Sequence, residues 1–79
     1  MTPHEVAKEL DVCGKRCPMP ILLTKREIKN VEVGEILKVI ATDVGTKKDF
    51  PAWAERTGNE IVELTEQEGT FTWYIRRIK

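Results

Sequence analysis

The sequence predicts an α/β fold: a two-layer sandwich of order βαβαββ, with two helices on one face of a four-stranded mixed sheet. Three observations lead there. Pro18 and Pro20 open a stretch of helix-forming residues, a second helical run stops at Gly58, and the last twenty or so residues alternate between apolar and polar on either side of Glu68-Gly69. With 79 residues, the chain is read as one domain over residues 1–79. A domain of this size buries roughly 60% of the surface its unfolded form exposes.

Residues 9–12 form the first expected strand, preceded by an N-terminal segment over residues 1–7 expected to fray. Gly14 permits the turn that follows. Proline is tolerated in the first turn of a helix and costly in its interior, so the first helix starts near Pro18 and Pro20 and runs over about 21–30. Its apolar face carries Ile21, Ile28 and Val31 with Leu22 on the flank, and Lys25, Arg26 and Lys29 face water. Gly34 follows as a stop signal. The aliphatic segment 36–42 is a covered strand. Thr46 with Asp49 resembles a capping box, and the second helix covers about 47–57; Pro51 favours a start near Asp49. Residues 59–66 make a half-buried strand with Val62 and Leu64 on one side and Glu63 and Thr65 on the other. The final strand, 70–78, sets Phe71, Trp73 and Ile75 against Thr72, Tyr74 and Arg76, and the last two strands pair as an antiparallel hairpin.

Thirteen basic residues balance thirteen acidic ones. A molecule of zero net charge has no overall attraction for nucleic acid or anionic lipid, so no direct nucleic-acid binding is expected. The apolar run around residues 20–23 is far short of the roughly 20 residues a membrane crossing requires. The expected protein is soluble and cytoplasmic. In a reducing compartment, two cysteines are more often reactive, or merely present, than a structural cross-link.

Those cysteines stand in Cys13-Gly14-Lys15-Arg16-Cys17-Pro18-Met19-Pro20. Cys17 falls just before a helix, where unpaired backbone N–H groups and the helix dipole favour a thiolate. Lys15 and Arg16 add positive charge, with Arg26 a further contributor, while Pro18 and Pro20 stiffen the segment. Cys17 is therefore the candidate nucleophile. His4, the only histidine, lies in the N-terminal segment and gives little support to a Cys–His pair. Two cysteines and one distant histidine fall short of the four ligands of a structural zinc site, so no metal is expected within one chain, although a dimer could pool ligands; no cofactor is expected either. Four extended residue steps span about 13 Å, so a Cys13–Cys17 disulfide requires the chain to fold back at Gly14. Cys13 is thus a possible second thiol, and a Cys13/Cys17 redox switch stays open as an alternative. Another is a small regulatory or RNA-binding module using Trp73, Tyr74, Arg76, Arg77 and Lys79, although aromatics packed in a core would account for the same residues. Lys47-Lys48 reads as a solvated pair or a minor docking point.

The run from Leu10-Asp11 through Gly14 to Cys17-Pro18-Met19-Pro20 resembles the signature of the TusA/SirA-like sulfur-carrier family at each fixed position. Gly34-Glu35, Asp43, Asp49-Phe50-Pro51, Gly58-Asn59-Glu60 and Tyr74-Ile75-Arg76-Arg77 extend the likeness over about residues 9–78. Val33 stands where a proline is common, and Cys13 occupies a variable position. The resemblance implies a single TusA-like domain that carries sulfane sulfur as a persulfide on Cys17. It further implies loading by a cysteine desulfurase or a rhodanese-like donor and delivery to a downstream acceptor protein, in tRNA thiolation, molybdenum-cofactor maturation or sulfur oxidation. Such a protein is a carrier within a sulfurtransferase relay more than a stand-alone catalyst.

Overall fold

The computed structural model describes residues 6–16 and 18–78. The chain runs β1 (Val6–Asp11), α1 (Met19–Glu27), a turn of 3-10 helix (Ile28–Asn30), β2 (Ile36–Ala41), α2 (Thr46–Thr57), β3 (Glu60–Gln67) and β4 (Thr70–Arg76). The strands lie in the order β1-β2-β4-β3. β1 is parallel to β2, and β2 and β3 are both antiparallel to β4. This is the expected mixed sheet, with helices supplying the crossovers that join β1 to β2 and β2 to the hairpin.

The core lies between the sheet and its helices. Leu37, Val39 and Ala41 pair across the ladder with Ile75, Trp73 and Phe71, and all six are buried. Ile28, Phe50, Trp53 and Ala54 cover them from the helical layer. Phe50 and Trp73 pack with ring centroids 5.0 Å apart at 49°, within the tilted range aromatic pairs favour. The indole N–H of Trp73 donates to Thr46 Oγ1 at 3.3 Å, so this large ring is buried without an orphaned donor. On the opposite face of the sheet lie the Lys38–Glu9 and Arg76–Glu60 ion pairs.

Several details depart from the sequence reading. Val6 and Ala7, expected to fray, belong to β1, while His4 lies outside the described residues. The buried face of α1 is centred on Pro20, Thr24 and Ile28, and Leu22 is 44% exposed. A threonine is admitted because its hydroxyl donates to the Pro20 carbonyl at 2.8 Å, leaving a small satisfied side chain where a helix packs closely. α2 starts at Thr46, so Pro51 lies inside the helix and has no N–H for the Lys47 carbonyl. The expected capping box does not form. Gly45 is the N-cap without a side-chain cap, and the Thr46 hydroxyl donates instead to the Asp43 carbonyl.

In β3 the ladder slips between Ile61 and Glu63, making Val62 the extra residue of a bulge. Ile61 then faces Ile75 and Leu64 faces Trp73, so Ile61, not Val62, shares the core side with Leu64. Tyr74 is on the outer face yet only 6% exposed, because β4 is central and its neighbours in register are Lys38 and Glu63. The hairpin turn Glu68-Gly69 has positive φ at both positions, 50° and 79°, the twist-compatible geometry of a two-residue hairpin.

Candidate functional site

Strand β1 reaches the site as a half-exposed edge strand hydrogen-bonded to β2. Val12 is fully buried, and its N–H donates to the Ile40 carbonyl at 2.8 Å, extending the parallel ladder by one residue. Apolar anchoring then ends abruptly. Cys13 and Gly14 form the corner of a turn closed by Lys15 N–H to Val12 carbonyl at 3.1 Å, with Gly14 at φ +80°. A Cβ at Gly14 would meet nothing within 4 Å, so its backbone torsion and not space selects glycine here.

Two polar side chains hold this turn. The Asp11 carboxylate accepts the Cys13 N–H at 2.9 Å, and the Thr42 hydroxyl accepts the Gly14 N–H at 2.9 Å. Thr42 directly follows β2, so the loop is tied to the C-terminal ends of both parallel strands. In open α/β sheets, this end is where sites are commonly built. Neither contact was read from the sequence. Asp11 could have been found as an Asx turn over two residues, whereas Thr42 is 28 positions from Gly14 and is brought near only by the sheet register.

Cys17 lies outside the described residues, and its flanks define its setting. Lys15 and Arg16 are exposed on one side. On the other, Pro18 is the N-cap of α1, and Met19 N–H donates to the Arg16 carbonyl at 2.8 Å. Pro20 is buried in the first turn, as expected of a proline that stiffens a helix start. The first turn holds no acidic residue, and Pro18 supplies no capping side chain. The positive end of the dipole thus meets no carboxylate from the helix's own first turn. A hollow of about 200 Å³ beside Pro18 is lined by Ile21, Lys25, Asp49, Ala52, Trp53 and Arg56. The sequence did not single out Arg56, because its placement needs the packing of α2 on α1.

Cys13 is an exposed free thiol. Desolvation pushes its pKa up, and the hydrogen bond and charge of Asp11 push it the same way. The Asp11 carboxyl is held below the usual range, first by the Cys13 N–H and then by the Cys13 thiol, against slight desolvation. Solvent reagents therefore meet Cys13 as a thiol and not as a thiolate.

The residues invoked for RNA binding are otherwise engaged. Trp73 is 2% exposed and Tyr74 6%, so neither offers a ring for stacking. Arg76 pairs with Glu60 at 3.1 Å, and the Arg77 guanidinium donates to the Val31 carbonyl at 2.7 Å. Lys79 lies outside the described residues. Lys47 pairs with Glu66 at 3.2 Å and sits over the Phe71 ring. Among the described residues, no three His, Cys, Asp or Glu side chains are grouped to hold a metal ion, and no helix is long and apolar enough to cross a membrane.

Fold and site together define a small two-layer α/β domain with a cysteine-proline segment at the entry to its first helix. A solved SirA-like protein from Desulfitobacterium hafniense shares this fold, with a TM-score of 0.78 at 22% identity over 91% of this chain and 99% of that one. The family model described as Sulfurtransferase TusA matches residues 8–77, and the chain belongs to that family. It is 46% identical over 70 residues to the sulfur carrier protein TusA of Allochromatium vinosum, covering 89% of this chain and 92% of the relative. To the sulfur carrier protein TusA of Pseudomonas aeruginosa it is 38% identical over 74 residues, 94% of each chain.

Proposed function

We propose that the protein is a cytoplasmic sulfur carrier that takes up sulfane sulfur as a persulfide on Cys17 and passes it to an acceptor protein. The observation that carries this reading is the start of α1. The helix begins at once after Cys17-Pro18, with no capping side chain and no carboxylate in its first turn, and Lys15 and Arg16 stand exposed on the other flank. That arrangement favours an anion on residue 17, whether thiolate or persulfide. Family membership and the names of the relatives support the same role.

In the loading step, the Cys17 thiolate attacks the outer sulfur of a donor persulfide. The donor S–S bond breaks, and the donor cysteine leaves as its thiolate. In delivery, an acceptor nucleophile attacks the terminal sulfur of Cys17, which leaves as a thiolate again. Charge and atoms balance in both steps without a cofactor. A cysteine desulfurase or a rhodanese-like protein is the donor class, and tRNA thiolation, molybdenum-cofactor maturation and sulfur oxidation are the acceptor routes. Cys13, held as a thiol by desolvation and by Asp11, is poorly placed chemically to attack the persulfide and discharge it.

Incubation with a cysteine desulfurase and free cysteine, followed by intact mass analysis, tests the assignment. The parent and Cys13→Ser proteins gain the mass of one sulfur atom, which a reductant removes, and Cys17→Ser gains nothing. Equal sulfur uptake by Cys17→Ser refutes it.

A further inference from the structure

The cations of this neutral molecule are unevenly placed. Lys8, Lys38, Lys47 and Arg76 each pair with a glutamate. Lys25, Arg26, Lys29 and Arg56 form no side-chain ion pair or hydrogen bond among the described residues, yet all four line one groove of about 600 Å³ between α1 and α2. Leu22, Lys25 and Arg26 follow the i, i+3, i+4 spacing of one face of α1, Lys29 continues the row from the 3-10 turn that follows, and Trp53, Arg56 and Thr57 share one face of α2. Arg77 closes the far end, its guanidinium fixed to the Val31 carbonyl. Among the described residues, no acidic side chain lines this groove. Like charges three and four apart on a helix repel, so the groove by itself bears a cost that an anionic occupant removes.

The geometry points to a docking groove for an acidic amphipathic helical segment of a partner protein. The floor of Leu22, Ile28 and Trp53 is apolar, and Leu22 is 44% exposed, a large aliphatic side chain left in water beside four cations. A segment with glutamates or aspartates flanking an aliphatic stripe matches both features. From Leu22 to Lys29 is seven residues, about 10 Å of helix at the usual rise, enough to receive two turns of an incoming helix. A phosphate backbone fits less well. It gains nothing from an aliphatic floor, Trp53 is buried and offers no ring to stack, and the zero net charge supplies no long-range attraction. Lys25, Trp53 and Arg56 also line the hollow beside Pro18, so an occupant of the groove lies next to the segment that carries Cys17. Only the identity of the partner, a member of the sulfur relay, rests on the function proposed above.

The test uses a fluorescein-labelled peptide of about 15 residues, with leucines at helical spacing and glutamates between them. Controls are a scrambled isomer and a single-stranded RNA of similar charge, and the protein is the full chain carrying Cys17→Ser. Fluorescence anisotropy is expected to show binding at least tenfold tighter than to the scrambled isomer, weakening with salt. Lys29→Glu with Arg56→Glu loses at least tenfold in affinity while the melting temperature is unchanged or raised. Leu22→Ser, at an exposed position, weakens binding without altering the fold. Equal binding of the scrambled peptide, tighter binding of the RNA, or unchanged affinity in the double variant overturns the groove. Because Cys17 is absent from this assay, its outcome is independent of whether residue 17 carries sulfur.

Discussion

Val12 and Cys13 are adjacent in sequence and belong to different physical regimes. Val12 is the last residue held by apolar burial and ladder hydrogen bonds; Cys13 is the first held only by a turn and two polar side chains. The layer containing Leu37, Phe50 and Trp73 on one side of that boundary is packed and fully satisfied. On the other side, Lys15 and Arg16 stay in water. The core specifies the architecture. The candidate site begins where burial stops.

Substitutions on either side of the boundary should behave differently. Trp73→Ala has the largest expected effect, about 3–5 kcal/mol of lost stability from a cavity beneath α2, measured by urea unfolding. Sulfur uptake per folded molecule should be retained. Gly14→Ala costs less, about 1–2 kcal/mol for a Cβ-bearing residue at positive φ, but slows loading because the turn before Cys17 must reset. A Gly14→Ala protein that loads at the parental rate would blur the boundary.

The smallest effect concerns pH. The Asp11 carboxyl is held low, so its bond to the turn is complete at neutral pH and is lost as pH falls through its folded-state value. The Cys13 thiol is held high, so the stability it contributes is present below its unfolded value and lost as pH rises through the folded one. In a Cys17→Ser background, alkylation of Cys13 should therefore have a midpoint above the roughly 8.5 of a free thiol. Asp11→Asn should bring that midpoint down with little change in melting temperature. An unchanged midpoint would show that Asp11 does not set the state of Cys13.

Much of the fold was legible in the sequence because its signals are local. The prolines at 18 and 20, Gly58, and the alternation of Phe71, Trp73 and Ile75 each act within a few residues, and the structure uses each as expected. What escaped depends on distant neighbours. Thr24 is polar and reads as exposed until its hydroxyl bond to Pro20 is seen, and the bulge at Val62 exists only relative to β4. The site divides the same way. Gly14, Lys15, Arg16 and the prolines were visible as a motif around Cys17, whereas Thr42 and Arg56 join it through the sheet register and helix packing. Lys25, Arg26 and Lys29 were correctly read as facing water; that they face Arg56 across a groove could not be read from α1 alone.

The account depends most on the ionisation of the thiol at residue 17. In a Cys13→Ser protein, the rate of Cys17 alkylation followed against pH reports it directly. The uncapped helix start and the cations of Lys15 and Arg16 predict a midpoint well below the roughly 8.5 of a free cysteine. A midpoint at or above that value would contradict the claim that this end of the domain is built to hold sulfur as an anion.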